Sequence, residues 1–324
     1  MPDLETRVQQ MLNAPAGCAF LFIMAENGFT PAQAAKPDLA VYIGARAMEM
    51  VGVWQGDHQE IIAEIIRRGQ THAGLARELL AYPNAAWWFA PLDHANQVWL
   101  ALYEEEALKE HIDEPGAPDS WDCYPQSPRD AFRTTTLFGD TAPFLAICEA
   151  GVCDYNSVKF PLAWWRLRVP AAARIYEVDG PEAWHALCTR YPWKCEPAEP
   201  FNQKGLLVPH WQAVAADWDA VHLTFGGALT AEQVRVESAA GWSRNWGWHA
   251  EQTLWLRWMF EHVERLPDRE RQRQPYVDMR PPRLQAGQGA MLMRVDDPAA
   301  AEAERQRFVQ GLLERRRRES GQSE

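Results

Sequence analysis

Between Asp217 and Trp258 the chain reads DWDAVHLTFGGALTAEQVRVESAAGWSRNWGWHAEQTLWLRW. Six tryptophans fall in this stretch: Trp218, Trp242, Trp246, Trp248, Trp255 and Trp258. Each indole buries about 150–250 Å² when packed, so the stretch must either build a core or present an aromatic surface. Ala220 to Phe225 is rich in β-branched and aromatic residues and predicts a strand closed by Gly226-Gly227. Thr230-Ala231-Glu232-Gln233 fits a capping box, with Thr230 as N-cap and Gln233 reaching back. Trp242, Trp246 and Trp248 sit among Gly, Ser and Asn and read as a loop. Thr253 to Trp258 is apolar again. As a strand it places Thr253, Trp255 and Arg257 on one face; as a helix it runs on through Met259, Phe260, His262 and Val263. Periodicity leaves both open.

The rest of the chain is organised around this half. At 324 residues there is room for one large domain or two ordinary ones. Residues 1–112 read as a helical domain. Leu4, Val8, Met11 and Leu12 recur at helical spacing, Pro15 and Gly17 mark a break, and Ala16 to Glu26 is apolar nearly all round. Thr30-Pro31-Ala32-Gln33 is a second capping box. Asp38 opens a helix to Val51, Asp57 to Glu60 cap another with Ile61, Ile62, Ile65 and Ile66 on one face, and His72 to Tyr82 forms a further one. Ala85 to Phe89 and Val98 to Tyr103 fit the first strands of the second half. Residues 113–159 read as linker or irregular chain, with Pro143 to Ala150 as a helix. Residues 160–265 are the Trp-rich α+β domain. Strands are expected at Leu162–Val169, Ala173–Val178 and Leu206–Val208, a helix at Glu182–Tyr191, and a short helix or turn at His210–Ala216. Residues 266–324 are an extended Arg- and Pro-rich segment followed by a helix from Asp297-Pro298 to about Arg318. The fold class is therefore α+β: a helical N-terminal domain, a Trp-rich mixed α/β-sheet domain and a C-terminal helix.

Composition narrows the function. A net charge of −12 argues against a general nucleic-acid surface, and Arg315 to Arg318 read as a solvated helix end. The six cysteines form no CxxC pair, which disfavours a zinc ribbon and fits reduced thiols in a cytosol. No signal-peptide pattern is present, and the longest apolar run, Cys18 to Ala25, is far short of a membrane span. A cytoplasmic, soluble protein without a membrane partner is expected.

Four polar residues, His222, Thr224, His249 and Glu251, interrupt apolar runs. Burying one unpaired costs about 1–3 kcal/mol, so each needs a structural partner or a ligand. His222, His249 and Glu251 have the composition of a two-His, one-carboxylate metal face, with His210 or Asp219 as a further ligand, although no metal is assigned. His185 and Cys188, one helical turn apart, and Cys153 beside Asp154 are the pairs that offer a thiolate. No GxSxG, P-loop or Gly-rich dinucleotide fingerprint occurs.

The order Arg168, then the His222-Leu223-Thr224 strand, then Glu251 resembles the arginine, serine/threonine strand and glutamate order of ADP-ribosyltransferases. The likeness covers residues 160–260. It implies NAD as the cofactor, bound through its phosphates by Arg168 and in a pocket shaped by Thr224, Trp248 and His249. Glu251 would polarise the ribose and stabilise a cationic transition state. The chain departs from that family where His249 stands in place of a Glu or Gln, and the Ser-Thr-Ser strand motif is missing. The expectation is an enzyme acting on a small molecule or nucleotide, with Glu251, His222 and Arg168 as catalytic residues. The alternative is a non-catalytic interaction or immunity-type protein that takes a protein partner on its aromatic surface.

Overall fold

A computed structural model describes residues 2–51, 59–102, 132–152, 155, 158–194 and 205–272. The start of the Asp57 cap, the acidic linker of 104–130, Cys123, Cys153, Cys195 and the expected C-terminal helix with Arg315 to Arg318 lie outside the described residues.

The chain is α+β. It opens with α1 (Leu4–Asn13), whose Asp3 cap accepts from the Thr6 amide at 2.8 Å. Extended Ala14 and then Pro15, which has no amide hydrogen to give, break the helix, and α2 (Pro15–Glu26) leaves at 92°. α2 is buried from Pro15 to Met24 and forms the axis of the helical layer. The Thr30–Gln33 capping box is present in both directions and opens the one-turn α3 (Pro31–Ala34). α4 (Pro37–Val51), α5 (Gln59–Gln70) and α6 (Ala73–Ala81) follow. Among the described residues, no single helix is long and apolar enough to cross a membrane; α1 and α2 pass that test as a bent pair, but the apolar run of α2 is spent in the core.

Ala85 to Phe89 is not a strand. Pro83–Phe89 winds as a 3-10 helix because its tryptophans are claimed from several sides. Trp87 stacks on Phe225 at 4.8 Å and donates its indole N–H to Ala35 O, while Trp88 meets Phe20 edge-on at 5.1 Å.

The centre is a seven-stranded mixed sheet. Its strands are β1 (Gln97–Leu100), β2 (Phe132–Thr136), β3 (Trp164–Arg168), β4 (Ile175–Val178), β7 (Ala220–Leu223), β10 (Gln252–Trp255) and β11 (His262–Arg265), in the order β11-β3-β1-β2-β10-β7-β4. β4 and β7 run parallel; the other neighbours are antiparallel. Two small ribbons, β5 (Pro192–Lys194) with β6 (Leu207–Pro209) and β8 (Arg235–Ser238) with β9 (Gly241–Arg244), flank it. The remaining helices are α7 (Pro143–Ala150), α8 (Pro181–Arg190), α9 (Trp211–Asp217) and α10 (Phe225–Ala231).

Residues 1–281 form one compact unit. A single apolar core joins Val8, Phe20 and Ile43 of the helices to Val98, Val221 and Leu254 of the sheet. The N-terminal helices thus bury their apolar faces on the sheet that β1 helps to build. A second, smaller core of Leu92, Phe132, Leu167, Ala220 and Trp255 has Trp99, Trp165, Trp258 and Phe260 packed against it.

Three local readings change. Gly226-Gly227 does not end a strand into a turn; it lies in the first turn of α10, capped by Thr224, whose hydroxyl accepts from the Gly227 amide at 2.9 Å. Both glycines are needed there. A Cβ on Gly226 would collide with the Phe89 ring, and one on Gly227 with Val178 O. Thr230 is accordingly no N-cap; it lies inside α10 and donates to Gly226 O at 2.8 Å. Gly241 to Arg244 is strand β9, not loop.

A buried carboxylate–imidazole–carboxylate chain

Side chains alternate across a strand, so register decides which of them meet. Glu177 of β4 is level with His222 of β7, His222 with Thr253 of β10, and Thr253 with Thr134 of β2. Across the sheet this sets polar groups in a row. His222 is its centre. Nδ1 lies 2.5 Å from Glu177 Oε2 and Nε2 lies 3.2 Å from Glu251 Oε1.

The two carboxylates differ in access. The Glu251 side chain is 2% exposed, and the Glu177 side chain is 30% exposed. Both oxygens of Glu251 are taken. Thr135 Oγ1 donates to Oε2 at 2.5 Å, Thr136 Oγ1 to Oε1 at 2.7 Å, and the Thr136 amide reaches both oxygens at 3.0 Å. Glu177 keeps Oε2 for His222 and accepts from the Leu92 amide through Oε1 at 3.0 Å. Burial pushes the His222 imidazole down, but the charge and hydrogen bond of Glu177, followed by those of Glu251, outweigh it and raise its pKa to about 9. At neutral pH His222 is therefore a cation that donates from both ring nitrogens.

A layer of amide and hydroxyl groups fixes this chain. Gln97 donates to Asp93 O and to Thr136 Oγ1, and its Oε1 accepts from Thr134 at 2.6 Å and Thr253 at 3.2 Å. The Trp255 indole N–H donates to Thr134 Oγ1 at 2.8 Å. The hydroxyls of Thr134 and Thr253 both give their protons to Gln97 Oε1 and that of Thr136 gives its proton to Glu251, which orders the layer.

The structure brings His222 and Glu251 together and disperses the other expected site residues. Thr224 spends its hydroxyl capping α10. Trp248 is fully buried and meets Trp184 edge-on at 6.0 Å. His249 has a left-handed backbone, φ 58°, which breaks the strand alternation that would have set it beside Glu251. Its ring lies 6.4 Å from that of Tyr155 and lines a small apolar cleft with Val41, Met48 and Phe225. Arg168 is exposed at the end of β3, with β1 and β2 between that strand and β10. His210 caps α9, and Asp219 accepts from the Arg174 amide and guanidinium. Among the described residues, no group of three or more His, Cys, Asp or Glu is placed to hold a metal. Cys188 is buried and its thiol pKa is pushed up by that burial, while His185 pairs with Ser243 at 2.9 Å instead.

Glu177, Thr135, Thr136 and Gln97 were not singled out by sequence. The signal for Glu177 was present: a carboxylate on the same strand face as Ile175, in an otherwise apolar run. The threonines lie in residues read as irregular, where Phe132-Arg133-Thr134-Thr135-Thr136 is a β-branched run.

Another polar group is left incomplete. Glu232 Oε2, Arg244 Nε, and both Nδ2 and Oδ1 of Asn245 are among ten buried side-chain atoms that meet no hydrogen-bond partner among the described residues.

Compared with known proteins, the chain matches no family model, no curated protein and no solved structure.

Proposed function

We propose that the protein is an enzyme acting on a small molecule or nucleotide, with NAD as the first candidate substrate, and that the Glu177–His222–Glu251 chain is its site. The observation that carries this is the difference between the two carboxylates on one imidazole. Glu251 is sealed and saturated, whereas Glu177 is partly open to solvent. Glu251 then holds His222 in place, and Glu177 is the carboxylate that meets substrate. A cationic His222 supplies or takes back a proton at Nδ1 through Glu177. A partly exposed carboxylate is also suited to stabilise positive charge that develops on a ribose when a glycosidic bond breaks. The likeness to ADP-ribosyltransferases calls for a serine/threonine strand beside the glutamate. Thr134 to Thr136 of β2 form one in place of Thr224, but it lies against Glu251, the carboxylate that holds His222, and not against Glu177. Arg168, exposed on β3, has no part in this reading.

Nicotinamide release from NAD by wild type, Glu177→Gln and Glu251→Gln, with melting temperatures recorded for each, tests the reading. Release by wild type that is lost in Glu177→Gln, measured where that variant is still fully folded, supports it. Glu251→Gln is expected to lose release and stability together, because breaking a buried ionic pair costs about 3–5 kcal/mol. No release by wild type ends the NAD reading. The second reading, a non-catalytic interaction or immunity-type protein, is favoured by the saturation of Glu251, which leaves that carboxylate no bond to offer. Under it, both substitutions alter melting temperature alone.

A further inference from the structure

β11 ends the strand order of the central sheet, and among the described residues no strand or bridge takes up its outer edge. All four of its residues are exposed. Its neighbour β3 fixes which way its backbone points. Antiparallel partners alternate between pairs that exchange hydrogen bonds and pairs that do not. The Leu266 amide donates to Trp164 O at 3.1 Å, so by alternation Glu264–Arg166 and His262–Arg168 are bonded pairs too. Val263 and Arg265 therefore turn their N–H and C=O groups to the free edge. The side chain at the middle of that edge is apolar. Val263 is 37% exposed, and it is level with Leu167, on the sheet face that carries Trp165. An open edge with outward amides is a template for another strand.

The sequence of β11 selects which strand. Two copies set antiparallel about Val263 place Val263 against Val263, and their outward N–H and C=O groups give two mutual hydrogen bonds. His262 of each copy then faces Glu264 of the other, a donor against a carboxylate, on the opposite face of the sheet. Arg265 comes opposite Glu261, the exposed residue that precedes the strand. Other registers are poorer. A slip of one residue would set the face of Val263 against the face of Glu264. A slip of two sets Glu264 against Glu264, like charge on like, or pairs His262 with itself and leaves Val263 opposite Glu261. The charges on this edge, which would repel a general partner strand, thus suit its own copy in one register. We infer that the protein forms a two-fold dimer in which β11 pairs with β11 of a second copy, with Val263 on the axis. Two seven-stranded sheets become one, closed by symmetry. Glu177 on β4 lies at the far edge of each sheet, so the pairing leaves it uncovered and is independent of the NAD reading.

Sedimentation equilibrium of the full chain over a concentration series up to about 1 mM tests the inference. A reversible equilibrium between one and two chains, with no larger species, is expected. Val263→Pro removes an outward amide that the monomer does not use, and proline is tolerated at such edge positions. It is expected to raise the dimer Kd at least about tenfold, the loss of the two mutual bonds. Glu264→Lys sets a cation against His262 of the other copy and is expected to raise Kd about fivefold. Melting temperatures at dilute concentration check that both variants fold; if Val263→Pro does not, Glu264→Lys decides. A single-chain mass at every concentration overturns the inference. So do masses beyond two chains, or a dimer as tight in the folded variants as in wild type.

Discussion

Raising the pH through the range in which His222 loses its proton is expected to weaken the fold. The imidazole titrates at about 9 when folded, against about 6.5 when unfolded. A base whose pKa is raised by folding contributes stability that is whole below the unfolded value and lost as pH passes the folded one. The gap is about 2.5 pH units, and at about 1.36 kcal/mol per unit it amounts to about 3 kcal/mol. Both partners are well placed to enforce it, because His222 is buried between them at 2.5 and 3.2 Å. Glu232 adds a slope of the same sign. Burial raises its carboxyl to about 8, so between about pH 4.5 and 8 the folded state holds a proton that the unfolded chain has released. Glu232→Gln removes that overlap. Urea unfolding of Glu232→Gln and of Glu232→Gln/His222→Gln at about pH 6, 7.5 and 9.5 isolates the histidine. The single variant should lose about 3 kcal/mol between the ends of the series, and the double variant should lack this loss. Parallel profiles for the two proteins, with His222 titrating near its ordinary value by NMR, would refute the reasoning.

Gly227→Ala is expected to cost about 3 kcal/mol or more in urea unfolding, because its new methyl meets the backbone oxygen of Val178, which cannot swing aside. An unchanged midpoint would show that β4 and α10 are less closely set. Thr224→Ala should cost about 1 kcal/mol through loss of the α10 cap, while Thr224→Ser should recover most of it; equal losses for both would locate the role of Thr224 in its methyl group. Glu177→Gln should bring the His222 pKa down further than Glu251→Gln does, since Glu177 is the stronger of its two raising partners; NMR titration of the imidazole checks the order.

Local chemistry alone determined much of this protein. The Thr30 box, the break at Pro15, the helix from Pro143 to Ala150 and the strands at 164–168 and 175–178 follow from propensity, capping and short-range periodicity, which act within a few residues. His222 and Glu251 stood out because a polar group in an apolar run demands a partner wherever it lies. Only tertiary structure decided who those partners are. The bond from His222 to Glu177 spans 45 residues and those from Glu251 to Thr135 and Thr136 span 116 and 115, and strand order across a sheet is not written in any window of sequence. The same holds for Gly226-Gly227. Two glycines after a strand read locally as a turn, but the approach of Phe89 and of Val178 O makes them the close-packed start of a helix. It holds again for His249, whose left-handed backbone removes it from the face of Glu251. Residue types established that a buried polar site exists; the register of four strands drawn from distant parts of the chain decided that Glu177, not Glu251, is its open end.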